Sequence, residues 1–144
     1  MTKKIVIDSD AIYAIYNYND PLHGKAIKAL QWLNGNHFQL IYPTSVIFEV
    51  MSLFQRVLKT SSVTVQLADM VNNDLLITYT IDDELLKQSI AIFKPAGSKK
   101  NTLVDCSVVA VAKKIKAEGV FSYDRFYIKQ GLKLAEDLIN EDKY

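Results

Sequence analysis

Short apolar runs alternate along the chain with longer stretches of helical periodicity. Ile5 to Ile7 is a β-branched run that predicts a buried first strand, and a helix over about Ser9 to Asn17 follows it. Asp20-Pro21 is a start signal, a carboxylate cap with proline in the first turn, for a second helix to about Leu33. Asn34-Gly35-Asn36 breaks that helix, Phe38 to Tyr42 reads as a second strand, and Pro43-Thr44-Ser45 opens a helix to about Lys59. A further helix is expected over roughly Val63 to Asn73, then a third strand over Leu75 to Tyr79 and a capped helix after Asp82. After a loop at Pro95-Ala96-Gly97-Ser98, Thr102 to Glu118 reads as a long helix ended by Gly119. Val120 to Tyr123 is the fourth strand, and a polar turn leads to a weak edge strand near Leu132 to Leu134. Strands separated by helices predict an α/β fold, a parallel sheet with helices on both faces. In such sheets the carboxyl ends of the strands line the usual site.

Composition narrows the function classes. At 144 residues the chain fits a single domain, residues 1–144, that buries roughly two thirds of its unfolded surface. Apolar residues at 49% with only 5 Gly and 3 Pro exclude disorder and low-complexity tails. The balance of 17 Lys+Arg against 16 Asp+Glu excludes binding of nucleic acid or anionic membrane through bulk charge. The lone Cys106 forms no internal disulfide, and no Cys/His cluster has zinc spacing. No signal-peptide core follows Lys3-Lys4 and no apolar run has the length of a membrane span, so a soluble cytoplasmic protein is expected.

The placement of the acids says more than their number. Between Lys28 and Arg56 the only formal charge is Glu49, and between Lys100 and Lys113 it is Asp105. Asp8 ends the first strand and Asp124 the fourth. An isolated carboxylate in apolar surroundings is costly unless paired, protonated or bound to metal. With two arginines in the chain, Arg56 and Arg125, pairing is short of partners. If the four converge, each close pair repels by roughly 4 kcal/mol at 4 Å and an effective dielectric of 20. An all-oxygen ligand set of that kind selects Mg²⁺ or Mn²⁺ over zinc. Independent, separately satisfied core acids are the plain alternative.

At these residues the chain resembles the PIN domain family, and within it the VapC-type toxin ribonucleases. The matching pieces are Ile5-Val6-Ile7-Asp8-Ser9-Asp10, Pro43-Thr44-Ser45 with Glu49, Leu103-Val104-Asp105-Cys106, and Phe121-Ser122-Tyr123-Asp124-Arg125. Asp20-Pro21-Leu22-His23-Gly24-Lys25-Ala26 and Gly131-Leu132-Lys133 are similar to that family too, and the pieces span about residues 5–134. The resemblance implies a three-layer α/β/α sandwich around a parallel sheet, with Asp8, Glu49, Asp105 and Asp124 as an acidic quartet supported by Ser122. It implies a metal-dependent ribonuclease, often a homodimer, and for the toxin type a small antitoxin protein that silences it. The chain departs at Asp10, where Ser or Asn is more usual, which makes Asp10 a candidate fifth ligand or tuning neighbour. It departs again where the aromatic after the Asp-Arg pair is doubled as Phe126-Tyr127.

In this reading Mg²⁺ or Mn²⁺ among the carboxylates activates water for phosphodiester hydrolysis, and no histidine base is required. His23 and His37 are then ordinary helix or loop residues. Lys99, Lys100, Arg125 and Lys129 flank the expected mouth and are candidates for RNA binding, whereas Lys113, Lys114 and Lys116 read as a solvated helix face. Tyr13, Tyr16 and Tyr18 are candidates for base stacking, with a core or dimer surface as the plainer meaning. Two nuclease-free rivals stand beside this reading. One is a haloacid-dehalogenase-like phosphatase with Asp8 as nucleophile and Asp10 as acid/base, which leaves Glu49 and Asp105 unexplained. The other is a non-catalytic binding module of the same fold. An RNA-processing PIN nuclease without an antitoxin is a further alternative.

Overall fold

A computed structural model describes residues 2–143. Four strands, β1 (Lys3–Ile7), β2 (Phe38–Pro43), β3 (Ile77–Tyr79) and β4 (Gly119–Phe121), form one parallel sheet in the order β3-β2-β1-β4. The helices are α1 (Ser9–Tyr16), α2 (His23–Gly35), α3 (Thr44–Val57), α4 (Ser62–Asn72), α5 (Asp83–Ile92), α6 (Leu103–Lys114), α7 (Phe126–Lys129) and α8 (Ala135–Asp142). Ile5, Val6 and Ile7 are all fully buried, as a central parallel strand covered on both faces requires, so β1 is continuously apolar instead of alternating. α6 packs against β1, β2 and β4 and carries α3 and α5; α2 lies against β2 and α8 against β4. This is the α/β sandwich expected from the alternation of strands and helices. No described helix is long and apolar enough to cross a membrane.

Several element boundaries differ from those expected, each for a local reason. Asp20 does not cap α2; its Oδ1 accepts the Leu22 N–H at 2.8 Å in a turn of its own, and α2 begins at His23 without a side-chain cap. α6 stops at Lys114 instead of running to Glu118, because Lys116 adopts φ 54° and the Ala117 N–H reaches back to the Ala112 carbonyl at 2.9 Å. Gly119 therefore opens β4, where a Cβ would lie 2.5 Å from the Lys133 carbonyl oxygen. That close approach leaves the expected edge strand as a single Val120–Leu134 bridge. The polar turn after β4 contains α7. The acids after Leu134 begin α8, where Asp137 Oδ2 accepts the Leu134 N–H at 2.8 Å.

Candidate acidic site

The sheet order puts β4 beside β1, so the two strand-end acids emerge at one edge. The Asp8 N–H extends that pairing by donating to the Phe121 carbonyl at 3.1 Å. Asp8 then caps α1, its Oδ1 accepting the Ser9 N–H at 2.7 Å. Asp105 enters from the first turn of α6 in a capping box: its Oδ2 accepts the Thr102 N–H at 3.0 Å while Thr102 Oγ1 accepts the Asp105 N–H at 3.4 Å. The box fixes the side chain with one oxygen engaged and the other turned toward Tyr127. Glu49, in the second turn of α3, is held by the Ser9 hydroxyl, which donates to its Oε1. Asp124 Oδ1 accepts the Phe126 N–H at 2.9 Å in the turn before α7, and its Oδ2 accepts from the Asn101 amide at 3.3 Å.

Tyr127 joins the two most buried acids. Its fully buried hydroxyl donates to Asp8 Oδ2 at 2.5 Å and stands 3.5 Å from Asp105 Oδ1. Asp10 does not share this contact. Its Oδ1 accepts the Ala11 N–H at 2.8 Å, and its Oδ2 accepts the Ser122 hydroxyl at 3.0 Å and the Tyr123 N–H at 2.8 Å. Ser122 Oγ in turn accepts the Asp124 N–H at 3.1 Å. Asp10 and Ser122 thus latch the start of α1 to the loop that carries Asp124.

Electrostatics mark the cluster as unneutralised. Burial pushes the Asp8 carboxyl well above the usual carboxylate range, and the charges of Asp10 and Asp105 push it further. Burial also raises Asp105, to about 6; the Thr102 N–H opposes this and the charges of Glu49, Asp124 and Asp10 reinforce it. Asp10 is raised by burial against the hydrogen bonds from Tyr123, Ser122 and Ala11. The ion pairs among the described residues are Lys25–Glu136, Lys114–Glu84 and Lys133–Glu141, none of which reaches these five acids. Each of the five acids accepts at least one hydrogen bond, and among the described residues no ion pair offsets their charges.

Among the described residues no three His, Cys, Asp or Glu side chains stand so as to hold one ion by themselves. The donor set nonetheless suits a hard divalent cation. Mg²⁺ keeps several waters and takes one or two carboxylates from protein, and Asp8 with Asp105 is such an all-oxygen pair. Glu49 and Asp124 lie close enough for their charges to raise the Asp105 carboxyl.

Lys99, Lys100, Arg125 and Lys129 are exposed, and the Asn101–Asp124 contact brings the loop carrying Lys99 and Lys100 to the mouth. Tyr13 and Tyr16 pack on Phe54 with ring centroids 5.9 and 6.2 Å away, whereas Tyr18 is 79% exposed. His23 Nδ1 lies 2.7 Å from the Ala14 carbonyl oxygen, an ordinary tie between α2 and α1. Tyr127, Thr102 and Asn101 were absent from the residues expected at the site. Thr102-Leu103-Val104-Asp105 carries a capping-box spacing that points to Thr102, but nothing local shows that the second aromatic after Asp124 turns inward. A cavity of about 890 Å³, lined by Ile47, Phe48 and Met51, lies along α3 and contains none of the five acids.

Comparison with known proteins agrees with this architecture. A family model described as PIN domain matches residues 5–130. Among solved structures, Mycobacterium tuberculosis VapC20, described as a sarcin-ricin loop cleaving toxin, superposes with a TM-score of 0.76 at 18% identity. The match covers 90% of this chain and 96% of that one. A search of curated proteins finds no match.

Proposed function

The chain belongs to the PIN domain family, and from that premise we propose that it is a metal-dependent endoribonuclease and the toxin of a toxin–antitoxin pair. In this reading one PIN-like domain spans residues 1–144, hydrolyses RNA phosphodiester bonds, and has a homodimeric partner and a small antitoxin. The observation that carries it is the meeting of buried Asp8 and Asp105 on one hydroxyl, among further acids, with no Lys or Arg among the described residues paired to them.

Asp8 and Asp105 are the proposed direct ligands of Mg²⁺ or Mn²⁺, with Glu49 and Asp124 direct or through water. Such an ion, when bound, supplies charge compensation for the phosphodiester and activates water for its hydrolysis. The chain's own residues do the positioning. The Thr102 capping box and the Tyr127 hydroxyl each hold one oxygen of Asp105 and Asp8 respectively, so neither carboxylate turns freely. Asp10 has both oxygens engaged and acts as a charged neighbour of the ligands, a reading supported by its effect on Asp8. Lys99, Lys100, Arg125 and Lys129 supply positive charge where a polyanion approaches an acidic mouth.

RNA cleavage with Mn²⁺, with EDTA, and in Asp8→Asn and Asp105→Asn tests the proposal. Cleavage is expected with Mn²⁺, with loss in EDTA and a fall of at least ~100-fold in either variant. Cleavage that persists in EDTA, or full activity in both variants, overturns it. Hydrolysis of small phosphomonoesters blocked by Asp8→Asn points instead to the phosphatase. A short reading frame beside the gene that encodes a DNA-binding antitoxin supports the toxin role, and its absence favours RNA processing.

A further inference from the structure

A second cavity, about 410 Å³, opens between α2, the end of β4 and α8. Its size falls in the range of small-ligand pockets, roughly 300–1,000 Å³. Trp32 and Tyr123 contribute aromatic surface to its lining, with the Lys25 ammonium 5.5 Å from the centre of the Tyr123 ring, and Lys25, Lys28 and Lys143 contribute amines. Glu136 pairs with Lys25 at 2.7 Å, so Lys28 and Lys143 remain as cations outside the ion pairs of the described residues. Tyr123 also carries the one buried side-chain polar atom among the described residues that finds no hydrogen-bond partner in the protein, its hydroxyl. A buried hydroxyl left unpaired is costly and calls for a partner. The cavity adjoins the acidic cluster directly, since the Tyr123 N–H donates to Asp10 and the next residue is Asp124.

We propose that this cavity is a nucleotide subsite for single-stranded RNA, taking one unpaired base beside the acidic cluster and the adjoining phosphate on Lys28 and Lys143. Aromatic surface accepts any base by stacking, and lysines follow the backbone without reading sequence. The proposal rests on the ribonuclease reading and deepens it: the strand crosses the acids and continues over the β4 edge toward α8. It gives RNA a positive anchor on the side of the site away from Lys99 and Lys100.

Trp32 is the chain's only tryptophan, so its fluorescence reports on the cavity. The full chain carrying Asp105→Asn is titrated with a short single-stranded RNA, with uridine monophosphate and with inorganic phosphate, alone and with Lys28→Ala/Lys143→Ala added. The RNA is expected to quench Trp32, the monophosphate to quench it far more weakly, and inorganic phosphate not at all. The lysine pair is expected to weaken RNA binding by ~10-fold and to lower the slope of log K against log salt by about 0.7 for each phosphate no longer neutralised. RNA binding with Trp32 unchanged, or unaltered by the lysine pair, overturns the subsite even where the wild type cleaves RNA with Mn²⁺. A monophosphate that binds as tightly as the strand overturns it in favour of a small-molecule site. A chain that neither binds nor cleaves RNA overturns the ribonuclease reading together with the subsite.

Discussion

Replacing Asp105 by Asn is expected to stabilise the metal-free protein at alkaline pH. The folded protein holds the Asp105 carboxyl at about 6 against a usual value of 3.8. At 1.36 kcal/mol per pK unit the shift has a ceiling of about 3 kcal/mol, and solvent screening at the mouth reduces it to roughly 1–2 kcal/mol. The sign follows from proton binding. Between about pH 4 and pH 6 the folded state holds more protons than the unfolded chain, so stability falls as pH rises through that window and is lowest above it. Asn keeps an oxygen to accept the Thr102 N–H but loses the favourable charge at the start of α6, a cost of about 0.5 kcal/mol. The net gain at pH 8 is about 1 kcal/mol, or roughly 3 °C in Tm for a domain of this size, and it vanishes below about pH 4. Thermal unfolding in EDTA at pH 4 to 8 measures it. Added Mn²⁺ reverses the order, since at 100 Kd a ligand adds about 2.7 kcal/mol to the wild type alone. An Asp105→Asn protein that is less stable than wild type at pH 8 in EDTA, or a difference independent of pH, refutes the reasoning.

Tyr127→Phe removes the donor to Asp8 Oδ2 while keeping the ring in the core; a loss of about 1.5–3 kcal/mol in thermal unfolding and about a 10-fold weaker Mn²⁺ affinity by calorimetry are expected. Unchanged Mn²⁺ affinity would show that the hydroxyl serves packing alone. Gly119→Ala puts a Cβ 2.5 Å from the Lys133 carbonyl oxygen and forces the chain before Leu134 away from β4. A cost of about 1–3 kcal/mol is expected in denaturant unfolding, and a neutral variant would contradict the close approach.

The buried strands were legible because a parallel sheet buries both of their faces, as in Ile5-Val6-Ile7 and Gly119–Phe121, whereas β2 is only partly buried and the edge strand β3 mostly exposed. The end of the chain was not. Four residues form α7, too few for a periodic pattern, and α8 is too polar to show an apolar stripe, with Ala135 its one buried residue. α6 ended early through a left-handed lysine at position 116, a conformation that composition favours only for Gly, Asn or Asp.

The acidic site divides along the same line. Asp8, Glu49, Asp105 and Asp124 stood out because charge is scarce around them, a property of the linear chain that survives folding. The groups that orient them, Ser9 for Glu49, Thr102 for Asp105 and Tyr127 for Asp8, are common residue types whose roles arise only from contacts across 40, 3 and 119 positions. Asp10 shows how isolation differs from convergence. It is as acidic as its neighbours and two residues from Asp8, yet one helical step turns it to the β4 loop, where Ser122 and Tyr123 satisfy it. Asp8 has both oxygens engaged too, by the Ser9 N–H and the Tyr127 hydroxyl, so what separates it from Asp10 is that it shares that hydroxyl with Asp105. Two acids that share a single tyrosine hydroxyl keep lone pairs for something else. By that criterion Asp8 and Asp105 are the pair whose replacement should abolish metal binding, and Asp10 the one whose replacement should first loosen the loop that holds Asp124.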